Sequence, residues 1–552
     1  MLDIVPQPTS LTSERPLRPG GTGGDPARRR WLGVIVISLG VSMIIVDATI
    51  VGVLLPQMVA DLRMSTGQAE WVTSVYALVF AALLIPFGRA GDVVGRRRMF
   101  LLGVAVFTLA SLAVAAAGDG SALIAARAAQ GVGASMVMPA ALATLNAQFT
   151  GRDRAHAFGV WGALLSGMAA LGPLVGGALA TGGGWRWAFW INLPAGVVLI
   201  AAAVALLPET REAAGRALRK EIDWPGAALS ALALGALVCG LIEGPFYGWW
   251  TATRDLSVAG LSPVPVVLGL GTVLLAALVA VERARAAAGR PVMLDLSLFT
   301  IPNFRNGNLA SALINVGELG LVFVLPLFLL GVHGTSPVQI SLAILPLAVG
   351  AFLSGGYAGK LARKRGAHRV VQIGMVLEVA AVLGLGLTIT ATTGGLGIAP
   401  WMLVYGFGLG LTSAQLTNVS LADVPPARAG QASGTQSTAR QVGAALGIAL
   451  IGTVFATGLG RTMADRLEHT DLPAERRAAL VHELRDSAGT SARDLHRAPG
   501  TETAARAADQ SLAAAARGGV LTTAAILAFG LVLSLRLRPG RTDVQDREES
   551  KA

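Results

Sequence analysis

Asp47, Arg127, Glu318 and Glu378 stand inside long apolar runs, where an acid or a base is expensive and therefore informative. A charge at the centre of a bilayer costs roughly 2.5–3.5 kcal/mol on an insertion scale, so ionisable residues within spans are functional candidates by default. Reading each run as a helix that rises about 1.5 Å per residue, Asp47 lies about 24 Å above the start of its run and about 10 Å short of the far side. Arg127 enters its own run from that far side and sits about 10 Å in. The two are level. On neighbouring helices they can pair, each offsetting the other's desolvation, and a carboxylate whose charge depends on a movable guanidinium is a natural proton switch. The competing reading is a pair that only staples two helices. Glu318 and Glu378 come about 20 Å and about 14 Å above the starting side, close to the midplane, where transporters bind substrate. With Asp47 neutralised by Arg127, these two glutamates leave a cavity with excess negative potential, suited to a cationic or protonatable small molecule. The alternative for each is a protonated acid hydrogen-bonded to a neighbouring helix.

Such positions need membrane-length helices to hold them, and the composition supplies these. Hydrophobic residues make up 53% of the 552, charged residues only 14%, and mean hydropathy is +0.61. Soluble domains carry about 25% charged residues. Runs of about 20 apolar residues fall near 31–54, 71–88, 99–117, 121–142, 157–180 and 187–207, then 224–243 and 262–281, then 306–330, 338–358, 370–391, 399–421, 431–457 and 516–535. The expected fold is all-α and integral to a membrane, with fourteen spans arranged as six, an extra pair opened by Asp223-Trp-Pro-Gly226, and six. The first run follows Arg28, Arg29 and Arg30 and superficially resembles a signal peptide. It is too long for that and has no small-residue cleavage site, so it is expected to remain as the first span.

Two charged hairpins order the spans. Gly88-Arg-Ala-Gly-Asp-Val-Val-Gly-Arg-Arg-Arg98 joins the second and third, and Gly359-Lys-Leu-Ala-Arg-Lys-Arg-Gly-Ala-His-Arg369 repeats its glycine spacing some 270 residues on. A second echo relates Arg152-Asp-Arg-Ala-His-Ala-Phe-Gly159 to Ala427-Arg-Ala-Gly-Gln-Ala-Ser-Gly434. A duplicated pattern implies two related halves. Short arginine-rich loops stay cytoplasmic, and the other basic loops fall on the same side as the first hairpin, which puts both termini inside. The expected organisation is a disordered cytoplasmic tail over 1–30, a six-helix bundle over 31–208, the extra pair with its flanking cytoplasmic loops over 209–305, a second bundle over 306–538 and a tail over 539–552. The 459–515 segment is placed outside the membrane, with a stretch near 474–485 able to form a short amphipathic helix.

Within the fifth span, Gly167, Gly172, Gly176 and Gly177 let a neighbouring backbone approach, while Pro173 removes a hydrogen bond and permits a bend. A helix of this kind packs tightly and can also gate. Other chemistry finds little footing. All six histidines fall in loops or at span ends, which leaves no histidine metal site within the membrane. No phosphate-binding glycine loop occurs, so ATP hydrolysis within this chain has no support, and no cofactor is expected. The single cysteine, Cys239, excludes an intrachain disulfide. The net charge of +11 is a topology signal rather than a nucleic-acid stripe. An integral-membrane enzyme using Glu318 and Glu378 as acid and base would lack any accompanying nucleophile or metal.

The 88–98 hairpin, Arg127-Ala-Ala-Gln-Gly-Val-Gly133, Gly172-Pro-Leu-Val-Gly-Gly177 and Asp47-Ala-Thr-Ile-Val-Gly-Val-Leu-Leu-Pro56 together resemble the recurring motifs of major facilitator superfamily exporters. Trp185-Arg-Trp-Ala-Phe-Trp-Ile-Asn-Leu-Pro-Ala-Gly196, with the extra central pair, is similar to the fourteen-span drug:proton antiporter branch. The likeness runs from Trp31 to about Leu535. It implies two six-helix bundles that alternate access, with proton entry driving drug exit across the plasma membrane. It ties the positions of Asp47 and Arg127 to proton coupling, and Asp92, within a gating loop that includes Gly88, Gly95, Arg96 and Arg97, to an inter-helix latch. The glycine-proline helix is tied to export direction. Two positions depart from the pattern: Arg363 stands where the second hairpin would repeat Asp92, and Leu330 where many relatives carry glutamine. The expected activity is proton-coupled efflux of lipophilic drugs or antibiotics, cationic ones among them, or else export of one dedicated metabolite such as an antibiotic or siderophore.

Overall fold

The computed structural model describes residues 26–182, 184–209, 223–250, 262–470 and 472–539, and these contain helices and turns but no strand. The first bundle comprises α1 (Pro26–Asp61), α2 (Thr66–Val94), α3 (Arg96–Ala115), α4 (Gly120–Gln148) and α5 (Gly151–Gly182), followed by α6 (Trp187–Trp190), which runs on through Ile191 into α7 (Asn192–Leu206). The extra pair is α8 (Trp224–Tyr247) and α9 (Pro263–Ala287). The second bundle holds α10 (Pro302–His333), α11 (Pro337–Arg365), α12 (Ala367–Thr388), α13 (Gly395–Leu421) and α14 (Ala429–Glu468), then the short α15 (Ala474–Asp486) and α16 (Ala492–Arg497), and finally α17 (Glu502–Ser534). Thirteen helical segments among the described residues are long and apolar enough to cross a membrane. α5 matches them in length, with 32 residues.

The helices overrun the apolar runs that announced them. Residues 26–30, expected in the tail, form the first turn of α1, and α14 and α17 extend well into the 459–515 segment, which is largely helical. A helix satisfies its backbone groups internally, so it continues past the bilayer edge until a cap or a glycine stops it. Residues 1–25 and 540–552, with the basic loop at Arg211, Arg216, Arg219 and Lys220, lie outside the described residues.

The duplication is built into the local geometry. Ser65 and Gln68 cap α2 reciprocally, and Ser336 and Gln339 cap α11 in the same way, 271 residues later. Gly95 and Gly366 end those helices at φ +119° and +89°, again 271 residues apart, in a region that favours glycine. Within the first bundle α1 packs on α5, and α4 on α2 and α3; within the second, α13 packs on α11 and α12, and α10 on α14 and α17. α8 lies along the seam between bundles, against both α2 and α14, where Ala81, Val238 and Ala445 form a small apolar cluster.

The bundles meet at the hairpin end, and the repeated motifs meet one another there. A Cβ at Gly88 would come within 2.5 Å of the Gly430 carbonyl oxygen and 3.2 Å of the Gly434 Cα. Correspondingly, a Cβ at Gly359 would meet the Cα of His156 at 2.9 Å, and one at Gly159 the Cα of Gly359 at 3.3 Å. Each hairpin therefore docks on the motif that opens the crossing helix of the other half, a two-fold exchange of contacts made possible by small residues.

Candidate functional site

Asp47 and Arg127 come together as their heights required. Asp47 is 2% exposed and Arg127 1%. Arg127 Nη1 donates to Asp47 Oδ2 at 2.5 Å and to Gln130 Oε1 at 2.7 Å, and Nε donates to the Val72 carbonyl at 3.2 Å. The guanidinium carbon lies 4.3 Å from the centroid of the Tyr76 ring. The other carboxylate oxygen accepts from Gln130 Nε2 at 3.0 Å and Asn192 Nδ2 at 3.3 Å, and both amides also donate to Ser111 Oγ. Five helices, α1, α2, α3, α4 and α7, thus converge on one acid–base pair. Such a pair balances desolvation against attraction only when its remaining hydrogen bonds are made, and breaking one partner typically costs about 3–5 kcal/mol. Of the supporting residues, Gln130 was legible as the i+3 neighbour of Arg127 on one face of α4. Asn192 fell within the quoted 185–196 motif without being tied to Asp47, and Ser111 carried no signal of its own.

Glu318 sits on α10, 271 residues after Asp47, at the interval that separates the hairpin glycines. It is half-buried, and Arg440 on α14 acts on it through space. Glu378 lies elsewhere. The sequence placed it at the cavity, whereas its carboxyl group is fully buried between α12 and α13, beside Tyr405 and the backbone at Gly408. The nearby Thr412 hydroxyl donates to the Gly408 carbonyl at 3.0 Å. Height along a helix follows from residue number, but the direction a side chain faces depends on which neighbours pack where.

At the hairpin end, Asp92 Oδ1 accepts from the Gly430 N–H at 2.8 Å and Oδ2 from the Gln431 N–H at 3.0 Å, so a carboxylate caps the start of α14. Arg96 holds the same carboxylate, with Nη2 to Asp92 Oδ1 at 2.9 Å, and also donates to the Pro426 carbonyl at 2.6 Å. Arg97 turns the other way, donating to the Val204 carbonyl at the end of α7. A Cβ on Gly95 would meet Glu209, whose carboxylate accepts from the Arg97 N–H. In the second hairpin, Arg363 replaces the carboxylate and faces His156; burial, with Arg363 beside it, holds that imidazole below its ordinary pKa.

α5 carries the glycine motif along the seam. Gly159, Gly162 and Gly167 admit Gly359, Ala414 and the Phe352 ring of α11 and α13, and Gly172 lies against Thr49 of α1. Gly176 is buried, and the helix runs without a break through Pro173 and Gly177. The near half of this motif therefore forms an interbundle contact, and Gly172 a contact within the first bundle.

Residues 37–448 match the model of the Major Facilitator Superfamily. The chain is 30% identical over 480 residues to a tetracenomycin C resistance and export protein of Streptomyces glaucescens, covering 86% of each. It is 31% identical over 470 residues to the multidrug resistance protein Stp of Mycobacterium tuberculosis, covering 84% of this chain and 83% of that one. The human organic anion transporter MFSD10 superposes with a TM-score of 0.59 at 16% identity, over 93% of this chain and all of that one, a likeness of fold. With its doubled six-helix architecture and its interlocked hairpins, the chain belongs to the major facilitator superfamily.

Proposed function

We propose that this protein exports lipophilic drugs or antibiotics, cationic compounds among them, from the cytoplasm across the cell membrane in exchange for protons. The observation that supports the reading is the buried Asp47–Arg127 ion pair, 2% and 1% exposed, at the convergence of five helices of the first bundle. The names of the resistance and export relatives support efflux as its use. With the hairpins and both termini cytoplasmic, the sealed hairpin end corresponds to the outward-facing conformation. A proton arriving from outside neutralises Asp47 and frees Arg127 to its other acceptors, Gln130 and the Val72 carbonyl. The first bundle then repacks, and the exchange of facing sides follows. Each inward charge supplies roughly 2.3 kcal/mol per 100 mV of membrane potential. Glu318, half-buried on α10, offers a carboxylate to the substrate cation, and Glu378 lies behind it in the bundle core.

Asp47→Asn tests this directly. The variant is expected to reach the membrane folded and to bind drug, yet to lose efflux driven by a pH gradient in everted vesicles. Undiminished gradient-driven efflux would remove Asp47 from the coupling step. A second reading, export of one dedicated antibiotic, is favoured by the relative described for tetracenomycin C alone. Competition among unrelated dyes and drugs in vesicles separates the two, since a dedicated exporter shows none.

A further inference from the structure

The extra pair α8–α9 is tied to the seam by its exit, the 288–301 segment. Gly289, at φ +64°, reverses the chain after α9, and the returning strand of backbone is clipped to the helix it has just left. Arg285 Nε donates to the Pro291 carbonyl at 3.0 Å and pairs with Asp223 Oδ2 at 2.8 Å. Both oxygens of Glu282 accept from the Met293 N–H, at 3.2 and 3.0 Å. Asp223, at the start of α8, also accepts from the Gly226 N–H at 2.9 Å. A Cβ on Gly226 would lie 2.5 Å from an oxygen of each carboxylate, so a glycine is what lets Asp223 and Glu282 converge. Both are buried, at 0% and 1% exposure, and the group is an expensive one to assemble merely to end a helix.

What the clip delivers is Met293. Its side chain is fully buried where three helices meet, against Ile85 of α2 and Leu234 of α8, with Val442 of α14 alongside. One residue earlier, the Val292 carbonyl accepts from Gln431 Nε2 at 3.2 Å, and two residues later Asp295 pairs with Arg428 at 2.5 Å. Gln431 is also the residue whose backbone N–H is held by Asp92. The start of α14 is therefore gripped from one side by α2 and from the other by this linker.

We propose that Asp223, Glu282 and Arg285 are positioning residues that hold the linker so that Met293 bolts α2 to α14, forming a second latch on the hairpin-closed conformation beside the one centred on Asp92. The extra pair then takes part in the access cycle: the hairpin end opens only when Met293 leaves its three-helix socket. This rests on the alternating-access reading but not on which residue carries the proton.

The test uses the full-length chain with Cys239→Ala and a reporter, Ser437→Cys. Ser437 is 4% exposed and three residues beyond Gly434 on the same face of α14, so alkylation from the hairpin side reports opening of the seam. Met293→Ala is expected to raise the alkylation rate roughly ten-fold, since it empties a socket that exists only in the closed conformation. Met293→Leu, which refills it, is expected to restore the parent rate. Glu282→Gln is expected to raise the rate several-fold while Met293 itself is unchanged. Combined with Asp92→Asn, Met293→Ala is expected to act non-additively, because both hold the same residues of α14. A parent alkylation rate in Met293→Ala, with or without a lower melting temperature, would show the linker to be a static tether and overturn the proposal. Efflux measured in the same vesicles keeps the two readings apart: loss of coupling at Asp47 leaves the reporter's response to Met293→Ala in place.

Discussion

Gly88→Ala offers the sharpest test of how the bundles close. The added Cβ would stand 2.5 Å from the Gly430 carbonyl oxygen, where ordinary contact is about 3.4 Å, and both groups belong to helix backbone with no side chain able to swing aside. α2 and α14 must separate by nearly 1 Å at their tightest crossing. Overpacking of this size costs about 1–3 kcal/mol. The cost falls on the hairpin-closed conformation alone, because the clash vanishes once the helices part. A differential of that size shifts the population toward the hairpin-open form roughly 5- to 150-fold. Alkylation of Ser437→Cys in the Cys239→Ala background reads that shift as a rate, in vesicles that expose the hairpin face. Gly356→Ala is the matched control, since a Cβ there meets nothing within 4 Å. Equal rates in Gly88→Ala and Gly356→Ala would refute the claim that Gly88 sets the closure.

Three further outcomes follow from the same geometry. Asp92→Asn retains volume but replaces a carboxylate that accepts from two backbone N–H groups and Arg96; it is expected to accelerate Ser437→Cys alkylation roughly 10- to 150-fold, from a loss of roughly 1.5–3 kcal/mol for hydrogen bonds to a charged group. Glu318→Gln is expected to weaken export of permanent cations at least ten-fold and to spare neutral compounds, as measured by paired resistance profiles. His156 is held below its ordinary pKa by burial and by Arg363, so it binds fewer protons in the closed contact than when free. Stabilisation of that contact is therefore present above the ordinary histidine pKa of about 6.5 and is lost as pH falls below it. Lowering the pH on the hairpin side is expected to speed alkylation, and His156→Gln to abolish that dependence.

Much of this protein was legible before any coordinates. Apolar runs, with a constant rise per residue and a strict alternation of direction, placed Asp47 and Arg127 at one level, because height in a membrane helix is a one-dimensional quantity. Hairpin glycines recurring at a fixed interval announced two halves for the same reason. Lateral arrangement is different in kind. Glu378 faces the bundle core, Ser111 and Asn192 join the Asp47 network from helices that no spacing rule linked to it, and each hairpin meets the opening motif of the opposite half. Met293 gave no sign at all, being one apolar residue in a short loop. Rotation about a helix axis and the choice of neighbours depend on how many side chains pack at once, so composition and spacing determined the membrane class, the span heights and the repeat, while only the packed tertiary structure decided which residues share a site.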